Sequence, residues 1–368
     1  MSLVHQIALT LVPQVGAVTA KALVAHFGGA QEVFDAKRAD LLRVPGIGPS
    51  VADAFSQCKS AALAEAEREA EFVDKHHIET LFITDDRYPN RLKQCHDSPA
   101  LLFFKGSTAD LLSARRIVGI VGTRQPSEWG KGMCEEIVEG LSGYNVLVVS
   151  GLAFGIDITA HRKASALEVP NVGVLGHGLS SIYPPQHRSA ALRMIENGGL
   201  LTEYTSNAKP DREHFPMRNR IIAGLCDALL VVETALSGGS MITADLAFHY
   251  GRDVMAVPGR PRDSKSEGCN ALIKQDKARL TECADDLAEA MNWQKSDQQK
   301  SIQMQLPIDL TEGERTVLSL VQLRPEIPVD QLTIAANMPP GELASTILSL
   351  EFKGLLRTLP GKRYMAIG

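Results

Sequence analysis

The densest concentration of groups able to hold a phosphate is KPDREHFPMRNRIIAGL, Lys209 to Leu225, where Lys209, Arg212, Arg218 and Arg220 surround Phe215 in a chain of net charge -5. Cations interleaved with an aromatic ring suit a nucleic-acid strand, with arginine on phosphate and phenylalanine under a base. The competing assignment pairs some of these arginines with Asp211, Glu213 or Glu233 and places Phe215 in the core. Phosphate recognition is preferred, because the guanidinium is planar and permanently charged. A second stretch, VVETALSGGSMITADLA at Val231 to Ala247, passes through Ser237, Gly238, Gly239 and Ser240. Their backbone N–H groups and hydroxyls are anion donors, without the lysine of a Walker loop. In a third, VGIVGTR at Val118 to Arg124, a glycine turn ahead of a helix exposes N–H groups and Arg124 adds a charge. The fourth, SGLAFGIDITAH at Ser150 to His161, holds Asp157 and His161 four apart, so the two can share a helical face. That spacing is either a carboxylate-oriented general base or an ion pair holding the helix to its neighbour. No nucleophile or metal ligand stands at matching spacing, so the ion pair is preferred. These groups bind anions; they do not assemble a covalent mechanism.

Elements must bring the four stretches together. Short apolar runs at Ile117 to Gly122, Asn145 to Ser150, Asn171 to Gly176, Gly199 to Glu203, Ala228 to Glu233 and Asp253 to Pro258 alternate with helical stretches and glycine-bearing turns. Runs this continuous predict strands buried on both faces, and the alternation predicts an α/β, Rossmann-like, doubly wound parallel sheet. Two further runs, Ile78 to Thr84 and Leu101 to Lys105, are expected to extend the sheet or cover an edge. GxGxxG is absent, and the second strand ends in Ser150 and Gly151 where an NAD enzyme places an acid. A dinucleotide oxidoreductase is therefore disfavoured.

Upstream, from Leu3 to about Ala70, apolar residues recur at helical spacing, with breaks at Pro13 to Gly16, Gly28 to Gly29 and Pro45 to Gly48. The segment RVPGIGPSVA, Arg43 to Ala52, resembles a helix-hairpin-helix, whose glycines let backbone N–H groups approach DNA phosphate. VPQVG at Val12 to Gly16 looks like a degraded copy. Few cations stand nearby beyond Arg43, so a structural role is preferred. Downstream, Asn292 to Pro307 is polar, glutamine-rich and aperiodic, and reads as a linker. Thr311 and Glu314 then have capping-box spacing. Helices follow from about Val329 and from about Gly341 to Lys353, with a hairpin turning at Pro360 and Gly361. Three helices and a two-stranded wing predict a winged helix.

The acidic balance argues against a protein that coats duplex DNA through bulk charge. Any nucleic-acid site is local. Cys58, Cys95, Cys134, Cys226, Cys269 and Cys283 form no CxxC pair and read as reduced cytoplasmic thiols. No Lys or Arg precedes Lys21, as a signal peptide would require, and no apolar run approaches the roughly 18 residues of a membrane span. No histidine or cysteine pattern supports a metal site, and no cofactor is expected.

The four stretches fall at successive strand ends. Together with YPP at Tyr183 to Pro185 and VPGRP at Val257 to Pro261, they resemble the DNA processing protein A (DprA, Smf) family over the whole chain. The resemblance implies a sterile-alpha-motif-like helical domain, an extended Rossmann core and a carboxyl-terminal winged helix. The expected boundaries are 1–72, 73–291, a linker at 292–307, and 308–368. It further implies a cytoplasmic homodimer that binds single-stranded DNA in the core without enzymatic chemistry and helps load the recombinase RecA in natural transformation. The positions carried over are Arg124, Arg212, Phe215, Arg218, Asn219, Arg220, Ser237, Gly238, Gly239, Ser240 and Thr243. Two departures stand out: His177 where the family more often has cysteine, and Gln275 to Ala278 in place of a glycine-alanine ending. The alternative is a nucleotide-processing enzyme resembling the lysine-decarboxylase-like phosphoribohydrolases. Their PGGxGTxxE loop reads SGGSMITAD here, with Asp245 for the glutamate. The winged helix is expected to contact a partner or, weakly, duplex DNA.

Overall fold

Helices α1 (Leu3–Leu11), α2 (Ala17–Phe27), α3 (Ala30–Asp35), α4 (Arg38–Leu41) and α5 (Pro49–Lys75) occupy the amino-terminal region of the computed structural model. Their breaks fall where the backbone turns: Gly28 closes α2 in the left-handed conformation, and Pro49 opens α5 at the first helical position. Leu9, Leu23, Phe34, Leu41 and Phe55 are buried and join Phe82, Leu101 and Phe103 of the sheet in one apolar cluster. The structure describes residues 2–295, 310–323, 327–353, 355–359 and 363–366. They divide into two compact units, Met1–Asp297 and Gln298–Gly368.

The sheet of the first unit has nine strands. In chain order they are β1 (Glu79–Phe82), β2 (Leu101–Gly106), β3 (Ile117–Gly122), β4 (Leu147–Ser150), β5 (Asn171–Val174), β6 (Gly199–Thr202), β7 (Ala228–Val232), β8 (Asp253–Ala256) and β9 (Arg279–Leu280). The spatial order is β1-β2-β6-β5-β4-β3-β7-β8-β9. β3 to β9 pair in parallel, and β2 and β1 extend the β6 edge antiparallel. Alternate residues serve opposite faces: Val118 and Ile120 of β3 join one core, and Ile117 and Val121 the other.

Helices α6 (Asn90–Lys93), α7 (Glu128–Leu141), α8 (Ile156–Ala166), α9 (Arg188–Asn197), α10 (His214–Leu225), α11 (Gly239–His249), α12 (Glu267–Lys274) and α13 (Ala284–Ala290) follow the strands. α7, α8 and α13 pack on one face of the central sheet, and α10, α11 and α12 on the other. The sheet is therefore doubly wound, as the apolar runs predict. The chain walks outward from β3 through β4 and β5 to β6, then α10 carries it back to place β7 on the far side of β3. Strand order reverses at that junction, where open α/β sheets bind ligands.

The second unit has helices Glu312–Leu323, Val329–Ala336 and Pro340–Phe352, with a three-stranded sheet of Ile327–Pro328, Arg363–Ala366 and Leu356–Leu359 in that spatial order. Val317, Val321, Leu332, Leu343, Ile347 and Leu350 form its core. The capping box closes as expected: Thr311 N–H donates to Glu314 Oε2 at 2.7 Å, and Glu314 N–H to Thr311 Oγ1 at 3.3 Å. The expected wing turn at Pro360 and Gly361, and the linker beyond Lys295, lie outside the described residues. Among the described residues, no helix is long and apolar enough to cross a membrane.

A candidate nucleic-acid interface

At the carboxyl ends of β3, β4, β5 and β7 lies a cleft of about 770 Å³, at the point where strand order reverses. Four backbone turns shape it. After β3 the chain passes Thr123 and Arg124. After β4, Gly155 sits at φ 85° and hands over to α8 while touching that first turn, with Ile156 N–H on the Thr123 carbonyl at 3.2 Å. A Cβ on Gly155 would lie 2.2 Å from that carbonyl oxygen, so the two turns meet only if residue 155 is glycine. After β5 comes Gly176, and after β7 the loop through Thr234, Ala235 and Gly238 that opens α11. Neither α8 nor α11 has a side-chain cap at its amino terminus. First-turn N–H groups with their positive end of the helix dipole are suited to an anion.

One wall of the cleft carries a cation and rings in contact. The Arg124 guanidinium is exposed and lies 5.6 Å from the Phe215 ring centroid. Phe215, from the first turn of α10, is half-buried against Gly176, where a Cβ would come within 3.1 Å of the ring. The Tyr183 ring lies 6.0 Å from that of Phe215, tilted by 35°. Arg218, one turn after Phe215, forms part of the floor at 4% exposure. Its Nη1 donates to the Val174 carbonyl and its Nε to Asn219 Oδ1 at 3.2 Å.

Beneath Arg218 lies Asp157 on α8, 8% exposed. Burial pushes its carboxyl above the usual aspartate range, and the Arg218 charge offsets part of that rise. The same burial pulls the Arg218 guanidinium down, with Asp157 opposing. Among the lining residues, Arg124, Arg212 and Arg218 thus face one carboxylate. An anion entering here meets a local cationic field in a protein of net negative charge.

Nine of the eleven expected positions line this cleft: Arg124, Arg212, Phe215, Arg218, Asn219, Gly238, Gly239, Ser240 and Thr243. Ser240 donates from Oγ to Thr234 Oγ1 at 2.7 Å, so its hydroxyl already has a partner. The other two positions do not line it. Ser237 is exposed on the loop outside the lining, and Arg220 points into the interior, where Nη2 pairs with the Glu203 carboxylate. Glu233, a suggested competitor for the arginines, instead accepts from Ser127 N–H at 2.8 Å and from Ser127 Oγ ahead of α7.

The expected Asp157–His161 pair does not form. His161 is buried with Nδ1 3.0 Å from Asn171 Oδ1 and Nε2 2.8 Å from the Gly151 carbonyl, and burial pulls its pKa down to about 4. It is neither a general base aligned by Asp157 nor its ion-pair partner. Two exposed lining rings were missed, Tyr183 and Phe154, each 47% exposed. The YPP run was the available signal for Tyr183. Asp245, which stands where the phosphoribohydrolase loop has glutamate, does not line the cleft and pairs with Lys277 at 2.8 Å.

In the amino-terminal hairpins, Ser50 Oγ donates to Gln14 Oε1 at 2.8 Å and links the two glycine turns. Val44 and Ile47 are buried, and Arg43 pairs with Asp40 at 3.2 Å.

The family model described as DNA recombination-mediator protein A matches residues 79–292, a helix-hairpin-helix motif matches 7–59, and the DprA winged helix domain matches 303–362. Protein Smf of Synechocystis sp. is 30% identical over 394 residues, which cover 98% of each chain. The X-ray structure of DNA processing protein A from Streptococcus pneumoniae superposes with a TM-score of 0.68 at 32% identity, covering 78% of this chain and 98% of that one. A structure of DNA processing protein A from Helicobacter pylori, described for its single-stranded DNA binding mode, gives 0.54 at 27% identity, covering 59% of this chain and 97% of that one.

Proposed function

The chain belongs to the DNA recombination-mediator protein A family, and on that premise we propose that it holds single-stranded DNA in the cleft at the carboxyl edge of its sheet. Binding there is non-covalent. Arg124 and Arg212 take phosphates from the rim and Arg218 supplies charge from the floor. Phe215 stacks a base, Gly238 and Gly239 allow close approach of the backbone, and Ser240, Thr243 and Asn219 shape the first turn of α11 and the floor beside it. The observation that carries this reading is the contact between the Arg124 guanidinium and the Phe215 ring, a phosphate ligand beside a stacking platform in one cleft. Duplex DNA hides its base faces, so this arrangement favours a single strand. Few of these groups read base edges, so sequence preference should be small.

The proposal extends to a cytoplasmic homodimer that loads RecA onto incoming strands, an extension supported by the family resemblance. Light scattering at micromolar concentration tests the dimer, and a strand-exchange assay with and without the protein tests the RecA step. A monomer in the first or no effect in the second removes that extension. The primary test titrates a single-stranded oligonucleotide and its duplex at matched low salt, then repeats the titration as salt is raised. Tighter binding of the single strand, weakening with salt through counterion release, is expected. Equal affinity for the two would overturn the reading.

A further inference from the structure

Phe215 has neighbours on two sides: the Arg124 guanidinium at 5.6 Å and the Tyr183 ring at 6.0 Å. It is also half-buried against Gly176. Tyr183 is the more open of the two rings. It is 47% exposed, lines the same cleft, and its hydroxyl has no hydrogen-bond partner among the described residues. Its backbone is anchored, since Tyr183 N–H donates to His177 Nε2 at 3.3 Å and Pro184 follows. A large ring is thus held at its root and about half exposed to water, beside a ring already in contact with a cation.

We infer that Tyr183 is a second stacking platform, so that the cleft takes two adjacent bases of one strand, one at Phe215 and the next at Tyr183. The inference rests on the single-strand reading above and adds to it a residue and a stoichiometry of bases. Stacking on an aromatic side chain tolerates any base because every base has a π-face. It also requires that the base be out of a duplex, so a second platform sharpens the preference for single strands. The hydroxyl contributes nothing to this role; the ring does.

The experiment measures affinity of the full chain for a short oligothymidylate and for a strand of equal length and charge in which bases are absent, comparing wild type with Tyr183→Ala and Tyr183→Phe. Tyr183→Ala is expected to lose roughly 5- to 150-fold on the oligothymidylate, the range for one base–aromatic stack, and almost nothing on the abasic strand. Tyr183→Phe is expected to match wild type on both. Thermal melting of Tyr183→Ala, expected to be unchanged for a half-exposed side chain, separates lost stacking from lost fold. Equal losses on both strands, or no loss on either while the wild type binds, overturn the assignment of Tyr183. A wild-type chain that binds neither strand overturns the single-strand reading itself, a distinct outcome.

Discussion

Arg124 extends into solvent with its guanidinium on the Phe215 ring, while Arg218 is 4% exposed and donates to the Val174 carbonyl above the buried Asp157. The two arginines line one cleft, yet their removal should read out differently. Arg124→Ala would delete the proposed charge-assisted phosphate contact, worth about 1.5 to 3 kcal/mol, and should weaken single-strand binding about tenfold or more, with melting unchanged. Arg218→Ala leaves the Asp157 carboxylate buried without its compensating charge and should destabilise the fold by roughly 3 kcal/mol. The pH dependence has a definite sign. Asp157 titrates above its unfolded range, and loss of Arg218 raises it further. A carboxyl whose pKa is raised by folding costs stability once pH climbs past the unfolded value near ~4. The deficit of Arg218→Ala against wild type is therefore present at pH above the raised Asp157 range and shrinks as pH falls through it, where both proteins carry the protonated acid. Urea denaturation of both proteins above and below that range checks it, and a deficit independent of pH would remove Asp157 from the explanation. Arg220 shows why the cleft is only partly legible in the sequence. Two positions on a helix differ by about 200° in direction, so when Arg218 faces the cleft Arg220 must face away, and it meets Glu203. Composition reveals the cluster of cations; only the facing of α10 divides it.

At the scale of elements, the apolar runs locate the strands because each is buried on both faces, and hydrophobicity is then continuous. β9, two residues long and exposed, carries no such signal and was not anticipated. The expected start of β4 at Asn145 is wrong for a local reason: Asn145 takes φ 52° after a short 3-10 turn, and pairing begins at Leu147. The i, i+4 spacing of Asp157 and His161 permits contact between them without requiring it. The partners of His161 are Gly151, directly after β4, and Asn171 of β5, and no spacing within α8 discloses them. Gly155 is the element-scale hinge of the site, because it joins the turn after β4 to the turn bearing Arg124. Gly155→Ala must accommodate φ 85° and a contact of 2.2 Å with the Thr123 carbonyl. The expected cost is about 1 to 3 kcal/mol of stability, accompanied by weaker single-strand binding as the Arg124 turn is displaced. Melting and titration of the same preparation test both parts, and a variant with wild-type melting and affinity would show that the turns are not coupled.

At the scale of the whole molecule, the proposed DNA affinity is assigned to the first unit. Segment Leu306 to Gly368 has six Lys and Arg against seven Asp and Glu, so it lacks the cationic excess that phosphate-dominated binding requires. Its last helix, Pro340–Phe352, occupies the position of a recognition helix but contains no Lys or Arg, and it presents Leu348 and Phe352 to solvent at 53% and 85% exposure. Lys353, directly after that helix, is bonded to both carboxylate oxygens of Glu314 at 2.7 Å. Lys362 and the side chains of Arg357 and Arg363 lie outside the described residues. A winged-helix fold does not by itself make a reader of DNA. Removal of this unit is therefore expected to leave single-strand affinity unchanged. The cut must respect the first unit's packing: Arg116 lies 5.7 Å over the Trp293 ring and donates to the Gln294 carbonyl at 2.8 Å, and Lys295 pairs with Asp285 at 3.1 Å. Truncation after Trp293 would remove two of those contacts and confuse lost stability with lost binding. Truncation after Lys295 keeps all three, and a short oligonucleotide titrated against the shortened and full chains gives the comparison. A loss above about tenfold, roughly 1.4 kcal/mol, with melting of the first unit preserved, would place part of the DNA site on the winged helix and refute its dispensability.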